Sequence, residues 1–143
     1  MRYRYLTIED AVDVHRRTVE ISGGGSVGIL DADRLASVLE HIQNDDYYPE
    51  FEDKLTHLFF CTNKFHCFSD GNKRLSIVLS GQFLSLNGFM YCLGKFYAEM
   101  ENISVYVADG KIDKDLLYEI VFAILADDLE NEELKLKIYS AIS

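Results

Sequence analysis

Apolar residues recur along this chain at intervals of three and four, the period of an α-helix, with polar residues between them. Thr7-Ile8-Glu9-Asp10 has the form of a capping box, with Leu6 placed as a hydrophobic staple. It predicts a first helix that buries Ile8, Val12, His15 and Val19 and ends at the glycines of 23–25. A second helix is expected from an N-cap at Asp31, with Leu35, Val38, Leu39 and Ile42 on one side. Residues 43–49, rich in Asn, Asp and Tyr, read as loop. Phe51, Leu55, Leu58 and Phe59 mark a third helix that ends near Phe65. A fourth runs from Asn72 to Leu86 and is stopped by Asn87-Gly88. Helices over 96–108 and 113–126 follow, and a last one over about 129–142. Only residues 89–93 hint at a strand. The pattern predicts an all-α fold of about six to seven helices, one domain over residues 1–143, with loop 65–71 between two central helices.

Composition supports a globular domain: 143 residues, 48% of them hydrophobic, are enough for a proper core. A formal charge of −10 argues against bulk binding to nucleic acid or anionic membrane, while leaving room for a small positive pocket. Cys61, Cys67 and Cys92 form no C-x-x-C pair, which favours reduced thiols in a cytosol-like compartment. The first residues carry arginines but no apolar run, so no signal peptide is expected. Residues 75–91 are too polar to span a bilayer. The expectation is a cytoplasmic protein that engages neither nucleic acid nor membrane.

Several patterns carry less than they suggest. Gly23, Gly25 and Gly28 fit G-x-G-x-x-G, but that fingerprint follows a strand, and residues 8–22 are helically patterned. The acids from Asp127 to Glu133 read as a solvated helix start. His15 reads as a satisfied core histidine, and His41 and His57 lack the spacing of a zinc site. Cys67 beside His66 is a poor hydrolase pair, because adjacent residues rarely aim at one point.

Residues 64–75, KFHCFSDGNKRL, hold the concentrated chemistry. Moving a phosphate-containing group onto a hydroxyl needs charge neutralisation, a divalent metal and a base. Asn72 opens a helix whose first N–H groups lack partners within it, and Gly71 lets backbone approach a phosphate closely. Asp70 can hold Mg²⁺ against the same phosphates. Lys73 and Arg74 add positive charge. His66 lies across the turn, where nearby cations favour its neutral, proton-accepting form. A polar turn can also assemble such residues by accident.

His66-Cys67-Phe68-Ser69-Asp70-Gly71-Asn72-Lys73-Arg74 resembles the H-x-F-x-[DE]-[AG]-N-[GK]-R signature of the Fic/Doc superfamily, at all seven specified positions. The Leu6-to-Asp10 opening, the glycine segment before the second helix, Asn87-Gly88-Phe89 and residues 108–112 look like the Doc (death-on-curing) branch, so the likeness covers about 5–125. The resemblance implies a helical bundle with the active-site loop between two central helices. It implies that His66 is the base for a target hydroxyl, Asp70 the Mg²⁺ ligand, Gly71 and Asn72 an anion hole, and Arg74 a phosphate ligand.

Position 73 is Lys, as in Doc, where AMP-transferring Fic enzymes usually have Gly. Similarity to Doc implies transfer of the γ-phosphoryl group of ATP to a Ser or Thr of a protein, elongation factor Tu in that case. AMP transfer is the alternative, and a nucleotide-binding module without turnover the second. Cys67 replaces a frequent proline, and Ile77 stands where many AMP-transferring relatives carry another arginine. The [ST]-x-x-x-E-[GN] inhibitory motif of self-restrained Fic proteins is not found in these residues, which fits a toxin controlled by a separate antitoxin. Loop 43–50 is the expected flap that pairs, strand-like, with the target.

Overall fold

The computed structural model describes residues 2–21, 32–64 and 72–143, with Val19 by its backbone alone. Among these the ordered elements are all helical: α1 (Ile8–Ile21), α2 (Ala32–His41), α3 (Phe51–Lys64), α4 (Asn72–Leu86), α5 (Leu93–Ala108), α6 (Lys114–Leu125) and α7 (Glu132–Ile142). The all-α expectation holds. None of these helices is long and apolar enough to cross a membrane.

Local chemistry sets most helix ends. Thr7 and Asp10 exchange backbone-to-side-chain hydrogen bonds at 3.0 and 3.1 Å, so the capping box forms with Asp10 as its acid. Leu6 and Ala11 are both buried behind it. Asp113 and Asn131 cap α6 and α7 by accepting from Leu116 N and Leu134 N. Helix α4 ends in a Schellman turn: Phe89 N reaches Leu84 O at 3.0 Å and Gly88 N reaches Ser85 O at 3.3 Å. Gly88 takes φ +83° there, a conformation that suits glycine. Gly110 (φ +78°) ends α5 in the same way. Asp127 (φ 54°) does so after α6, and the last helix therefore starts at Glu132, later than the expected 129.

Two further expectations need correction. Helix α1 buries Ala11, Val14, His15 and Thr18, while Ile8 and Val12 are only half-buried. The buried face is rotated because Thr18 satisfies its own hydroxyl on Val14 O at 2.8 Å and so tolerates burial. Residues 89–93 are no strand: Met90–Cys92 is a 3₁₀ turn leading directly into α5. Phe89 packs on Phe51 and Cys92 is buried, a spacing of three, whereas alternation would have placed the exposed Tyr91 inside.

Helix α3 lies in the middle, packed by α2, α4, α5 and α6, and α4 packs in turn on α1, α3 and α5. Leu55, Leu58, Phe59, Leu75, Leu79 and Phe83 are wholly buried between them. Helices α4 and α5 meet at Gly81, where a Cβ would stand 2.2 Å from the Tyr97 hydroxyl oxygen. The N-terminal segment is clasped by Asn87, whose side chain bonds Arg4 N at 2.8 Å and Arg4 O at 2.9 Å.

Lys54 is fully buried in α3. Its Nζ donates to Ile42 O and to Asp45 Oδ1, both at 2.7 Å, and lies 5.6 Å from the Tyr5 ring centroid. Loss of water pulls this ammonium down most strongly, yet its hydrogen bonds to Asp45 and Tyr5 leave it above its ordinary value. One cation thus ties the end of α2, the following loop and the N-terminal segment to α3. Lys54→Met keeps the buried stem but strands the Ile42 carbonyl. The variant is expected to lose about 2–3 kcal/mol of unfolding free energy. Urea denaturation checks this, and a loss below about 0.5 kcal/mol would show that the strap carries no weight.

Candidate active site

The candidate site is built on the two stems that flank residues 65–71. On the first stem, Asn63 is buried in the last turn of α3 and donates from Nδ2 to Ser104 O of α5 at 3.0 Å. Thr62 satisfies itself on Leu58 O at 2.7 Å. Lys64 Nζ lies by the turn that ends α5, 3.8 Å from where a Gly110 Cβ would stand. Its charge there complements the negative end of the α5 dipole. The exit of α3 is therefore tied to α5 by hydrogen bond and charge.

The second stem is the first turn of α4. Leu75 and Ser76 are wholly buried, and Ser76 Oγ donates to Lys73 O at 2.6 Å. Asn72 is buried as well, while Lys73 and Arg74 are exposed. This arrangement runs against the helix dipole. Helices α1, α2, α3, α6 and α7 each place carboxylates in the first turn; α4 and α5 have none there, and α4 carries two adjacent cations, Lys73 and Arg74, where α5 carries Lys95 alone. Two side-chain cations at the positive end of the helix dipole raise the local potential, in a chain of net charge −10. An incoming anion is the natural complement. Of the expected site residues, the structure brings Asn72, Lys73 and Arg74 together, whereas His66, Asp70 and Gly71 lie outside the described residues.

A scan against family models matches residues 5–84 to the Fic/DOC family, which is more than half of the chain. The chain belongs to the Fic/DOC family. No curated protein matches it. The match ends within α4 and includes both stems and the intervening signature. Membership makes the chain a Fic-type transferase in general terms.

The flap expected of this Fic/DOC chain at 43–50 is not an extended edge. Its N–H groups are spent internally: Gln43 and Asn44 on Glu40 O and His41 O, and Tyr48 on Asn44 O. Asp46 and Tyr47 donate to the Asn44 side chain, and Glu50 to Asp53. A run of turns offers no ladder to a target strand.

A cluster that sequence spacing dismissed surrounds His57. Lys114 Nζ lies 2.7 Å from Nδ1, the Tyr48 hydroxyl 3.2 Å from Nε2, and Cys61 Sγ 3.5 Å from Nε2. An ammonium only donates, so Nδ1 is the acceptor and the ring proton sits on Nε2. Burial first, then the charges of Lys114 and His41, push this imidazole down to about 4. The only sequence sign was helical spacing of His57 and Cys61 on one face of α3. From about pH 6.5 down to 4 the unfolded chain protonates here and the folded chain does not, so stability contributed by neutral His57 falls across that window as pH drops. An NMR titration should find the His57 ring neutral at pH 5.5, with its midpoint near 4. A midpoint near the ordinary 6.5 would contradict the packing of Lys114 against it.

Proposed function

We propose that this chain is a Doc-type protein kinase, transferring the γ-phosphoryl group of ATP to a Ser or Thr hydroxyl of a protein. The observation that carries the reading is the opening of α4, where Lys73 and Arg74 stand without an acid in the first turn. Lys73 also places a bulky cation where AMP-transferring relatives usually present bare backbone, a physical reason for a changed pose of the triphosphate. Asn72 and the backbone from Gly71 receive phosphate oxygens, and Arg74 clamps them as a planar fork.

His66 accepts the proton of the target hydroxyl. The hydroxyl oxygen then bonds to the γ-phosphorus, and the bridging oxygen leaves with ADP. Mg²⁺ would neutralise phosphate charge, held by Asp70 and the nucleotide. Asp70 is proposed for that role by its place in the family signature. The proposed acceptor is a host protein such as elongation factor Tu, the proposed setting a cytoplasmic toxin held by a separate antitoxin.

ATP labelled separately at the α and γ positions tests the reaction in a lysate supplied with Mg²⁺. Label from the γ position alone is expected on one host protein. Label from the α position alone would replace phosphorylation with AMP transfer, and no label from either would leave a binding module. His66→Ala is expected to fold and lose at least about a hundredfold in rate. Parental rate in that variant would remove His66 from its role. Asp70→Ala should abolish the Mg²⁺ dependence of nucleotide binding, and unchanged dependence would refute its assignment.

A further inference from the structure

We infer that Asn87-Gly88 is a site of spontaneous deamidation gated by the N-terminal segment: it stays intact while residue 4 is clasped and converts once that segment lifts. The site uses none of the residues assigned to phosphoryl transfer and does not rest on the proposed reaction.

Asn87 is the one asparagine of the chain that is followed by glycine. With no Cβ beside it, a glycine nitrogen reaches the preceding side-chain carbonyl carbon most readily. In the reaction the Gly88 nitrogen bonds to Cγ of Asn87 and loses its proton, and the Cγ–Nδ2 bond breaks with release of ammonia. Water then opens the succinimide ring at either carbonyl and leaves aspartate or isoaspartate, with no change in oxidation state. Water has access, because Gly88 is exposed and nothing stands within 4 Å of where its Cβ would be.

The fold holds both reacting groups back. The Asn87 side chain accepts from Arg4 N at 2.8 Å and donates to Arg4 O and Phe83 O, each at 2.9 Å. Phe83 lies one turn back along α4, so the amide is kept away from Gly88. The Gly88 N–H is itself directed at Ser85 O, at 3.3 Å. Two of the three side-chain bonds go to residue 4, so lifting the N-terminal segment is the step that frees the amide.

Conversion also prevents the clasp from closing again. A carboxylate at position 87 has no N–H for Arg4 O or Phe83 O and sets negative charge against both. The segment released carries Tyr5, whose ring stacks on Phe83 at 5.8 Å and has its centroid 5.6 Å from Lys54 Nζ. Deamidation thus removes one wall of the strap around the buried lysine.

The test is peptide mapping by mass spectrometry after incubation of the full chain in mildly alkaline buffer, the readout being isoaspartate and a gain of about 1 dalton at position 87. Conversion is expected to be at least about tenfold slower in the folded chain than in the same chain held unfolded in urea. Arg4→Pro removes one N–H from the clasp and should speed conversion about fivefold in the folded chain. Tyr5→Ala keeps that N–H but loosens the segment, and should speed conversion as well. Asn131→Ala weakens the cap of α7, outside the clasp, and should leave the rate within about twofold of the parent. Equal rates in the folded and unfolded chain, parental rates in both Arg4→Pro and Tyr5→Ala, or equal acceleration by Asn131→Ala would each overturn the gate, the last by making global unfolding the route. Asn87→Asp is expected to melt several degrees below the parent, and an unchanged melting temperature would overturn the release of the segment.

Discussion

Helix α3 is enclosed by four other helices, and a helix so placed must settle its own polar groups. It does so in part, through Lys54 and the Asn63 amide nitrogen, while Thr56 Oγ1 and Asn63 Oδ1 stay buried without a partner. Lys54 turns its ammonium onto the Ile42 carbonyl and Asp45 and thereby fixes the loop before the helix. Asn63 turns its amide nitrogen onto Ser104 O and thereby ties the last turn of the helix to α5. The apolar middle, Leu55, Leu58 and Phe59, sets the depth of the helix. Register and depth of the helix follow from these contacts as far as its last residue, Lys64.

The charge distribution divides the surface by task. Carboxylates open five of the seven α-helices, in a chain of net charge −10. The first turns of α5 and α4 depart from that rule, and only the latter of the two sets adjacent cations, Lys73 and Arg74, at its opening. Cations there give up favourable dipole interactions, an arrangement that makes sense where a polyanion is to be received. A net charge of −10 repels bulk polyanions, so attraction depends on local clusters of cations such as this one.

Much of this was legible in the chain because it is local. Thr7 and Asp10, Asn87-Gly88 and Asp109-Gly110 act within a few residues of themselves, and the helix ends they mark fall where read, although α5 begins at Leu93 rather than 96. The core of α2 and α3 followed from helical spacing alone. What escaped depends on distant partners. A lysine in a helix normally reads as solvent-facing, and nothing local shows that position 54 faces Ile42 and Asp45. The quartet of Tyr48, His57, Cys61 and Lys114 likewise needs α6 folded against α3 before it exists. The face of α1 was misjudged because period does not distinguish a half-buried Val12 from a self-satisfied, buried Thr18. Within the site, Asn72, Lys73 and Arg74 form the first turn of α4, and His66, Asp70 and Gly71 lie outside the described residues.

The account depends on the opening of α4 being a receptor for triphosphate. Backbone amide NMR of the full chain, titrated with ATP and Mg²⁺, examines that directly. The account predicts that the amides of Asn72, Lys73 and Arg74 shift together and saturably, ahead of those in any other helix. If ATP binds while these amides stay unmoved, or if no amide responds at all, the cradle does not exist.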